Sequence, residues 1–431
     1  MEETSCDAIV VGGGFAGVTA ARELSNAGLS TTLLEARDRL GGRTWTSQFG
    51  SRTVELGGGW VHWRQPHVWA EMTRSGIGIA EDDWRFDTAL FGAPVQRHPP
   101  EEAFARVREL FTRFAGDAGA LLPHPHDPLR VTGVAALDAR SMQDRLDEMR
   151  LTGSDEEWLS GLLYEIAGSP LDEAALLQVV RWMALSDWDI DRWYDTNRYR
   201  PVGGTVAVLD GIVASGRFDV QLSAPVSAVD AGRDAVRVVT RDGRAFRAST
   251  VVIATPVNVW PHIDFGPGLP AAHREAGRVG WGKPHQDKVW IEVRGSLGRV
   301  FGQLPAPAPL NFFWTHEAWE GGQLIIGINA NPALDVTDEE QVAATIRRYV
   351  PEIDEVVAVS GHDWAADEYT RGGNTGHRPQ QVTRNLHALQ QPWGRVAFAT
   401  ADIASGWFGY IDGAIESGIR AARDCRAILA R

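Results

Sequence analysis

Lysine is nearly missing from this sequence: of 42 basic residues only Lys283 and Lys288 are not arginine. Arginine has evidently sufficed wherever a positive charge serves solubility or an ion pair, so each lysine invites a chemical reason. Cysteine is as scarce. Cys6 and Cys425 stand at opposite ends of the chain, and both are expected to be free thiols rather than a disulfide. No run approaches the ~20 apolar residues that a membrane-spanning helix needs. Nothing before the first strand has the character of a signal peptide, so a cytoplasmic location is expected. A basic excess is lacking too. The formal charge of −14 argues against a nucleic-acid partner, which selects a basic face. An acidic surface for solubility explains it, with steering of a cationic substrate as the alternative. Metal-ligand spacing is also absent. His124-Pro125-His126 reads as a proline-rich loop, and His62 and His67 lack ligand-type partners, so no metal is expected.

What is present is bulk and tryptophan. The 431 residues suffice for two or three domains with a cleft between them. The 17 tryptophans exceed ordinary usage, and part of them is expected to line an apolar cleft. Segments rich in Gly and β-branched residues occur at 7–60, 200–285 and 393–431. A helical, Trp- and Arg-rich stretch lies near 80–200 and a strand-rich stretch near 285–370. This interleaving predicts an α/β chain of two domains, each assembled from discontinuous segments.

Ala8–Val11 is a short apolar run of buried-strand type. Gly12-Gly13-Gly14-Phe15-Ala16-Gly17 follows, then a helical pattern with Val18, Ala21 and Leu24 on one face, stopped at Asn26-Ala27-Gly28. Thr31–Leu34 reads as a second strand ending in Glu35. G-x-G-x-x-G between strand and helix has a physical logic. Gly12 permits a tight turn, Gly14 admits a pyrophosphate to the backbone, and Gly17 lets helix and strand approach. The phosphates then face free N–H groups at a helix N-terminus. Glu35, 18 residues beyond Gly17, can accept from both ribose hydroxyls and disfavours a 2′-phosphate. The fingerprint fixes a dinucleotide; it does not separate NAD from FAD. Further on, Val236–Thr240 and Ala245–Ala248 read as a hairpin about Asp242-Gly243, and Val251–Ala254 as a separate buried strand.

Two other stretches carry a resemblance. Glu35-Ala36-Arg37 runs on to Leu40-Gly41-Gly42-Arg43-Thr44, and Glu55-Leu56-Gly57-Gly58-Gly59-Trp60 follows. The C-terminal part reads Val396–Asp402 and then Gly406-Trp407-Phe408-Gly409-Tyr410-Ile411-Asp412-Gly413-Ala414. Together these resemble the flavin amine oxidase family, which includes monoamine, polyamine and bacterial nicotine oxidases. Trp60 to Met72 looks nearest to the nicotine oxidase and pseudooxynicotine amine oxidase group. The resemblance covers nearly the whole chain. It implies a two-domain fold with a Rossmann-like FAD domain of parallel sheet (1–80, 200–285 and 385–431). The substrate domain (81–199 and 286–384) would be mixed sheet and helices.

The resemblance also implies noncovalent FAD. Its covalent members use a cysteine near position 374, where this chain has Asn374. Candidate cofactor-binding residues are Gly12, Gly14, Phe15, Ala16, Gly17, Glu35, Ala36, Arg37, Gly42, Arg43, Gly58, Gly59, Trp60, Val226, Asp402, Trp407 and Ile411. Arg43 would neutralise pyrophosphate charge, Val226 would meet adenine, and Asp402 stands where the family has a carboxylate for the ribityl chain. Trp407 is expected on the flavin or at the start of the closing helix. Candidate catalytic residues are Lys288, which the family places by water at flavin N5, and Tyr410, half of an aromatic cage around the amine. Lys288 opens an alternating strand, and a structural role there is the alternative, as a core tyrosine is for Tyr410. Asn374 and Thr375 occupy the place of the second cage aromatic and join Tyr410 as the candidate substrate pocket.

The activity implied is hydride transfer from the carbon α to an aromatic or heterocyclic amine, secondary amines included, onto flavin N5. The imine hydrolyses and O2 is reduced to H2O2. Amine substrate and O2 are the expected partners, with neither nucleic acid nor membrane; a homodimer is left open. Competing readings are an L-amino-acid oxidase, a dehydrogenase or desaturase using another electron acceptor, and a flavin-binding protein without turnover.

Overall fold

A computed structural model describes residues 3–116, 122–282, 285–295 and 297–431; Lys283 falls outside them. Its first sheet is built around the fingerprint. Strand Thr4–Val11 pairs in parallel with Thr31–Leu34 on one side and with Ala245–Ile253 on the other, Val11 standing opposite Leu34 and Ile253. Asp219–Gln221 extends the sheet beyond Thr31–Leu34. Val236–Thr240, Val226–Ala231 and Asp264–Gly266 extend it the other way. Cys6 lies within the first strand rather than before it.

The hairpin strand and the buried strand expected separately at 245–248 and 251–254 are one strand, Ala245–Ile253. Ser249-Thr250 contains no breaker, so extended backbone continues. Val236–Thr240 pairs antiparallel with its first half, and Val396–Phe398 takes over in parallel at Val251–Ile253. The last strand of the chain is thereby seated two strands from the first, and the helices after each meet.

Those helices, Phe15–Asn26 and Ile411–Leu429, cross at closest approach where a Cβ on Gly418 would lie 2.4 Å from the Ala16 carbonyl oxygen. The closing helix buries Ile415, Gly418, Ala422 and Cys425, a 3.6-period stripe. Gly418→Ala should therefore cost about 1–3 kcal/mol, read as a lowered thermal midpoint; an unchanged midpoint would show that the helices can part freely. A third helix, Pro66–Ser75, is clamped to the first by a buried pair in which Arg22 donates to both carboxylate oxygens of Glu71, at 2.9 and 2.8 Å.

The second sheet runs Ile353–Gly361, Asp287–Gly295, Gly322–Asn329, Phe312–Trp319, Val300–Gln303, Thr88–Phe91 and Gln96–His98. The last two strands sit inside the stretch read as helical. Asp287–Gly295 lies one in from the edge and is covered on both faces, so the alternation expected from Lys288 to Val293 does not mark one solvent-facing side. Val289, Ile291 and Val293 enter one core cluster while Trp290 enters another. Helices Pro100–Ala115 and Ser154–Ala167 pack beside this sheet, and Leu176–Leu185 packs against Ser154–Ala167. The chain leaves the first region along Ile79–Glu81 and returns along Tyr199–Pro201, and these two segments pair antiparallel as a ribbon. Among the described residues no helix is long and apolar enough to cross a membrane, and Cys6 and Cys425 are free.

Candidate active site

One cleft runs from the fingerprint to the second sheet and is lined by residues of both. Gly12, Gly14, Phe15 and Ala16 form its floor. Gly12 adopts φ +106, a left-handed conformation suited to glycine, and a Cβ on Gly17 would lie 1.9 Å from the Gly12 carbonyl oxygen. The first backbone bond of the helix is Val18 N–H to Gly14 C=O, and no side chain caps its N-terminus. Its leading N–H groups are thus directed toward the cleft, which suits an anion.

The Gly-Gly-Arg turn docks onto this floor through Gly41 N–H, which donates to Gly13 C=O at 2.9 Å. Gly42 and Arg43 complete that wall. Glu35 accepts from Gly13 N–H at 2.6 Å and from Arg37 N–H at 2.8 Å, leaving a lone pair on each oxygen for a ribose. Burial pushes its carboxyl above the usual range, against those two bonds. Ala36, Arg37 and Val226 line the same end, with Arg37 fixed by Asp367 at 2.6 Å.

Four sequence candidates stand behind the wall rather than in it. Asp402 is 1% exposed and accepts from Arg43, Thr375, Thr400 and the Val257 N–H; the wall at that point is Thr400 and Ala401. Thr375 spends its hydroxyl on Asp402 at 2.6 Å, so of the expected pocket pair only Asn374 reaches the cleft. Trp407 is fully buried at the start of the closing helix, its indole donating to Arg64 C=O at 3.0 Å. Gly17, too, acts by contact with Gly12 and not as a lining residue. Ile411 and Ala414, in the first turn of the closing helix, do line the cleft. Asp412 turns away and accepts from His67 and Val68 N–H at 2.6 and 2.9 Å, capping helix Pro66–Ser75. Burial raises it to about 7.

At the far end Gly57, Gly58, Gly59 and Trp60 converge with Lys288 and Tyr410. The Lys288 Nζ donates to Gly57 C=O at 2.7 Å and lies 3.6 Å from the Trp60 ring centroid, a cation–π distance. Burial lowers its pKa to about 7, opposed by Glu55 and Asp82. Tyr410, raised to about 12 by burial, meets Trp407 and Trp182 edge to face, at 5.2 and 5.8 Å. Facing them are Trp182, Trp193, Trp314, Phe312, Ile166 and Ile328, with Glu165, Gln286 and Thr196 as polar members. Sequence reasoning named none of these individually; the signal was the excess of tryptophan in the middle of the chain. Outside the cleft, His285, Asp287 and Asp363 bring one ligand-type atom each within 4.8 Å. Trp364 N–H donates to Asp287 at 3.1 Å and Ala366 N–H to Asp363 at 2.8 Å.

The floor and walls therefore fit a flavin dinucleotide, with an aromatic chamber at the flavin end. The chain belongs to the family described as flavin containing amine oxidoreductase, whose model matches residues 15–426, and it is an FAD-dependent enzyme that oxidises amines. Nicotine dehydrogenase of Pseudomonas putida is 36% identical, over 98% of this chain and 89% of that protein. (S)-6-hydroxynicotine oxidase of Paenarthrobacter nicotinovorans is 30% identical, over 95% and 97%. The solved structure of putrescine oxidase bound to putrescine superimposes with a TM-score of 0.81 at 24% identity, covering 100% of both chains.

Glu35→Gln should reduce FAD retention roughly tenfold, since hydrogen bonds to a charged acceptor carry about 1.5–3 kcal/mol. Flavin content after gel filtration at fixed protein concentration checks this, and full retention would leave Glu35 with only its role of holding the Gly13 loop.

Proposed function

We propose that the chain oxidises a nicotine-type amine, one whose reacting nitrogen, secondary amines included, is carried on an aromatic or heteroaromatic body. The observation that carries this is the chamber beyond Lys288, walled by Trp60, Trp182, Trp193 and Trp314 beside Tyr410. Indole faces suit a flat ring and a cation or amine lone pair. The nicotine-related names of the relatives at 30–36% identity support the same class. Residues 1–80, 200–285 and 385–431 are taken as the FAD domain, and 81–199 and 286–384 as the substrate domain. FAD is held without a covalent bond: position 374 is asparagine, and neither cysteine is among the cleft residues.

FAD, when bound, supplies the hydride acceptor for the carbon α to the amine. The protein's part is orientation, exclusion of water and proton management. The tryptophans hold the ring and dry the chamber. Trp182, perpendicular to Tyr410, takes the place of the aromatic absent at Asn374. Lys288 is neutral for part of the physiological pH range and can accept or relay a proton at Nζ. The N-terminal turn of helix Ile411–Leu429, whose Ile411 and Ala414 line the cleft, would offer positive dipole to a reduced flavin bound there. The released imine hydrolyses in water.

Initial rates on a panel test the substrate class. Heteroaryl secondary amines should exceed straight-chain aliphatic diamines by at least about tenfold in kcat/KM, the size of one lost ring contact. A preference for the diamines would overturn it. O2 is the proposed acceptor. A second reading, transfer to another carrier, is favoured by the dehydrogenase names of the relatives at 36% and 37% identity. Slow recovery of the flavin spectrum on admitting air would select that second reading.

A further inference from the structure

Lys288 rests on the face of Trp60, so whatever fixes that indole also fixes the ammonium. The Trp60 Nε1–H donates to Oδ2 of Asp82 at 3.3 Å. Asp82 is 4% exposed and follows directly on the crossing strand Ile79–Glu81. Its Oδ1 accepts from Arg200 Nε at 2.6 Å, across the ribbon, and its own N–H donates to Arg198 C=O. The His316 ring nitrogen lies 3.7 Å from the same carboxylate. Asp82, Arg200 and His316 are not among the residues that line the cleft. A continuous line of contacts therefore runs from a buried carboxylate to an indole N–H, across the indole face to the Lys288 ammonium, and on to Gly57 C=O.

We propose that Asp82 is a positioning residue for amine oxidation: its carboxylate holds the indole on which Lys288 rests, and its negative charge acts on that lysine across the ring. The inference rests on the proposed role of Lys288 beside the cofactor. Among the described residues, four charged or titratable groups face the lysine. Glu55 and Asp82 favour its protonated form, Arg200 opposes it, and His316, lowered to about 4 by burial, faces it as a neutral ring. Neutralising Asp82 leaves Arg200 with less opposition, so the lysine must lose its proton at lower pH.

The test is the limiting rate of anaerobic flavin reduction as a function of pH, at saturating amine, in the FAD-loaded enzyme. In Asp82→Asn the limb assigned to Lys288 should move toward acid by on the order of half a pH unit, and the rate should fall roughly three- to tenfold. Trp60→Phe keeps the ring but removes the N–H. It should slow the rate by a similar factor, and the double variant should be no slower than the slower single one. If Asp82→Asn does not fold, Trp60→Phe alone decides. A wild-type rate in Trp60→Phe, an unmoved limb in Asp82→Asn, or additive losses in the double variant would overturn the proposal. Lys288→Met separates the two levels: if it is slow while the Asp82 and Trp60 variants match wild type, only the positioning role fails. If Lys288→Met itself is unimpaired, the lysine reading fails and the inference with it.

Discussion

Gly17→Ala is expected to leave a folded chain that has lost FAD, with a dissociation constant raised at least a hundredfold. The added methyl would lie 1.9 Å from the Gly12 carbonyl oxygen, 3.0 Å from its carbon and 3.1 Å from the Ala254 side chain. Two of these are backbone atoms in a turn held between parallel strands, so no flexible side chain can give way. The helix Phe15–Asn26 must instead move back from the sheet. That displaces its leading N–H groups from the pyrophosphate they face, and hydrogen bonds to a charged group are worth about 1.5–3 kcal/mol each. Two of them account for about 3 kcal/mol or more, and a hundredfold in affinity is about 2.8 kcal/mol. Flavin fluorescence titration of the apoprotein measures the constant, and circular dichroism establishes that the chain is folded. Wild-type affinity in the alanine variant would mean that the close approach of helix and strand is not what presents the N–H groups.

Lys288→Met is the other large effect: flavin reduction or reoxidation should slow by at least about tenfold while FAD stays bound. Methionine preserves most of the apolar stem within the covered strand Asp287–Gly295 but removes the nitrogen that bridges Gly57 C=O and the Trp60 face. The pH dependence has a definite sign. Burial brings the lysine to about 7, so the neutral amine gains population as pH rises through that value. A step that needs it as proton acceptor should accelerate over the same interval. Stopped-flow traces of the two half-reactions should show this limb in the wild type and not in the methionine variant. Unchanged traces would remove Lys288 from the chemistry and return it to the structural role of a strand residue.

How much of this was legible in the sequence depends on the range of the physics involved. The βαβ unit at 4–34 was readable because its glycine spacing expresses local sterics and its strands are short apolar runs. Lys288 was readable from the family resemblance together with composition, since one of only two lysines among 42 basic residues points to chemistry that arginine does not supply. Strands Thr88–Phe91 and Gln96–His98 were not: the first pairs with Val300–Gln303 some 200 residues on, and the second is the edge strand paired to the first. Asp402 and Thr375 were placed in the site by the family positions they occupy, those of a ribityl carboxylate and a cage aromatic. Their side chains instead satisfy one another behind it, a choice fixed by three-dimensional partners. The tryptophan excess announced an aromatic chamber without saying which indoles build it: Trp182 and Trp314 reach the cleft, whereas Trp407 is spent on packing. Asp82 carries no motif at all, and its contact with Trp60 depends on where the crossing ribbon lies.

The central claim, an FAD enzyme that takes hydride from a nicotine-type amine, is tested most directly by anaerobic titration of the purified holoenzyme. One equivalent of a heteroaryl secondary amine should bleach the visible flavin band completely and yield one equivalent of the carbonyl product of imine hydrolysis, while amino acids leave the band unchanged. Bleaching by amino acids alone, or by no amine at all in protein whose flavin dithionite still reduces, would contradict it.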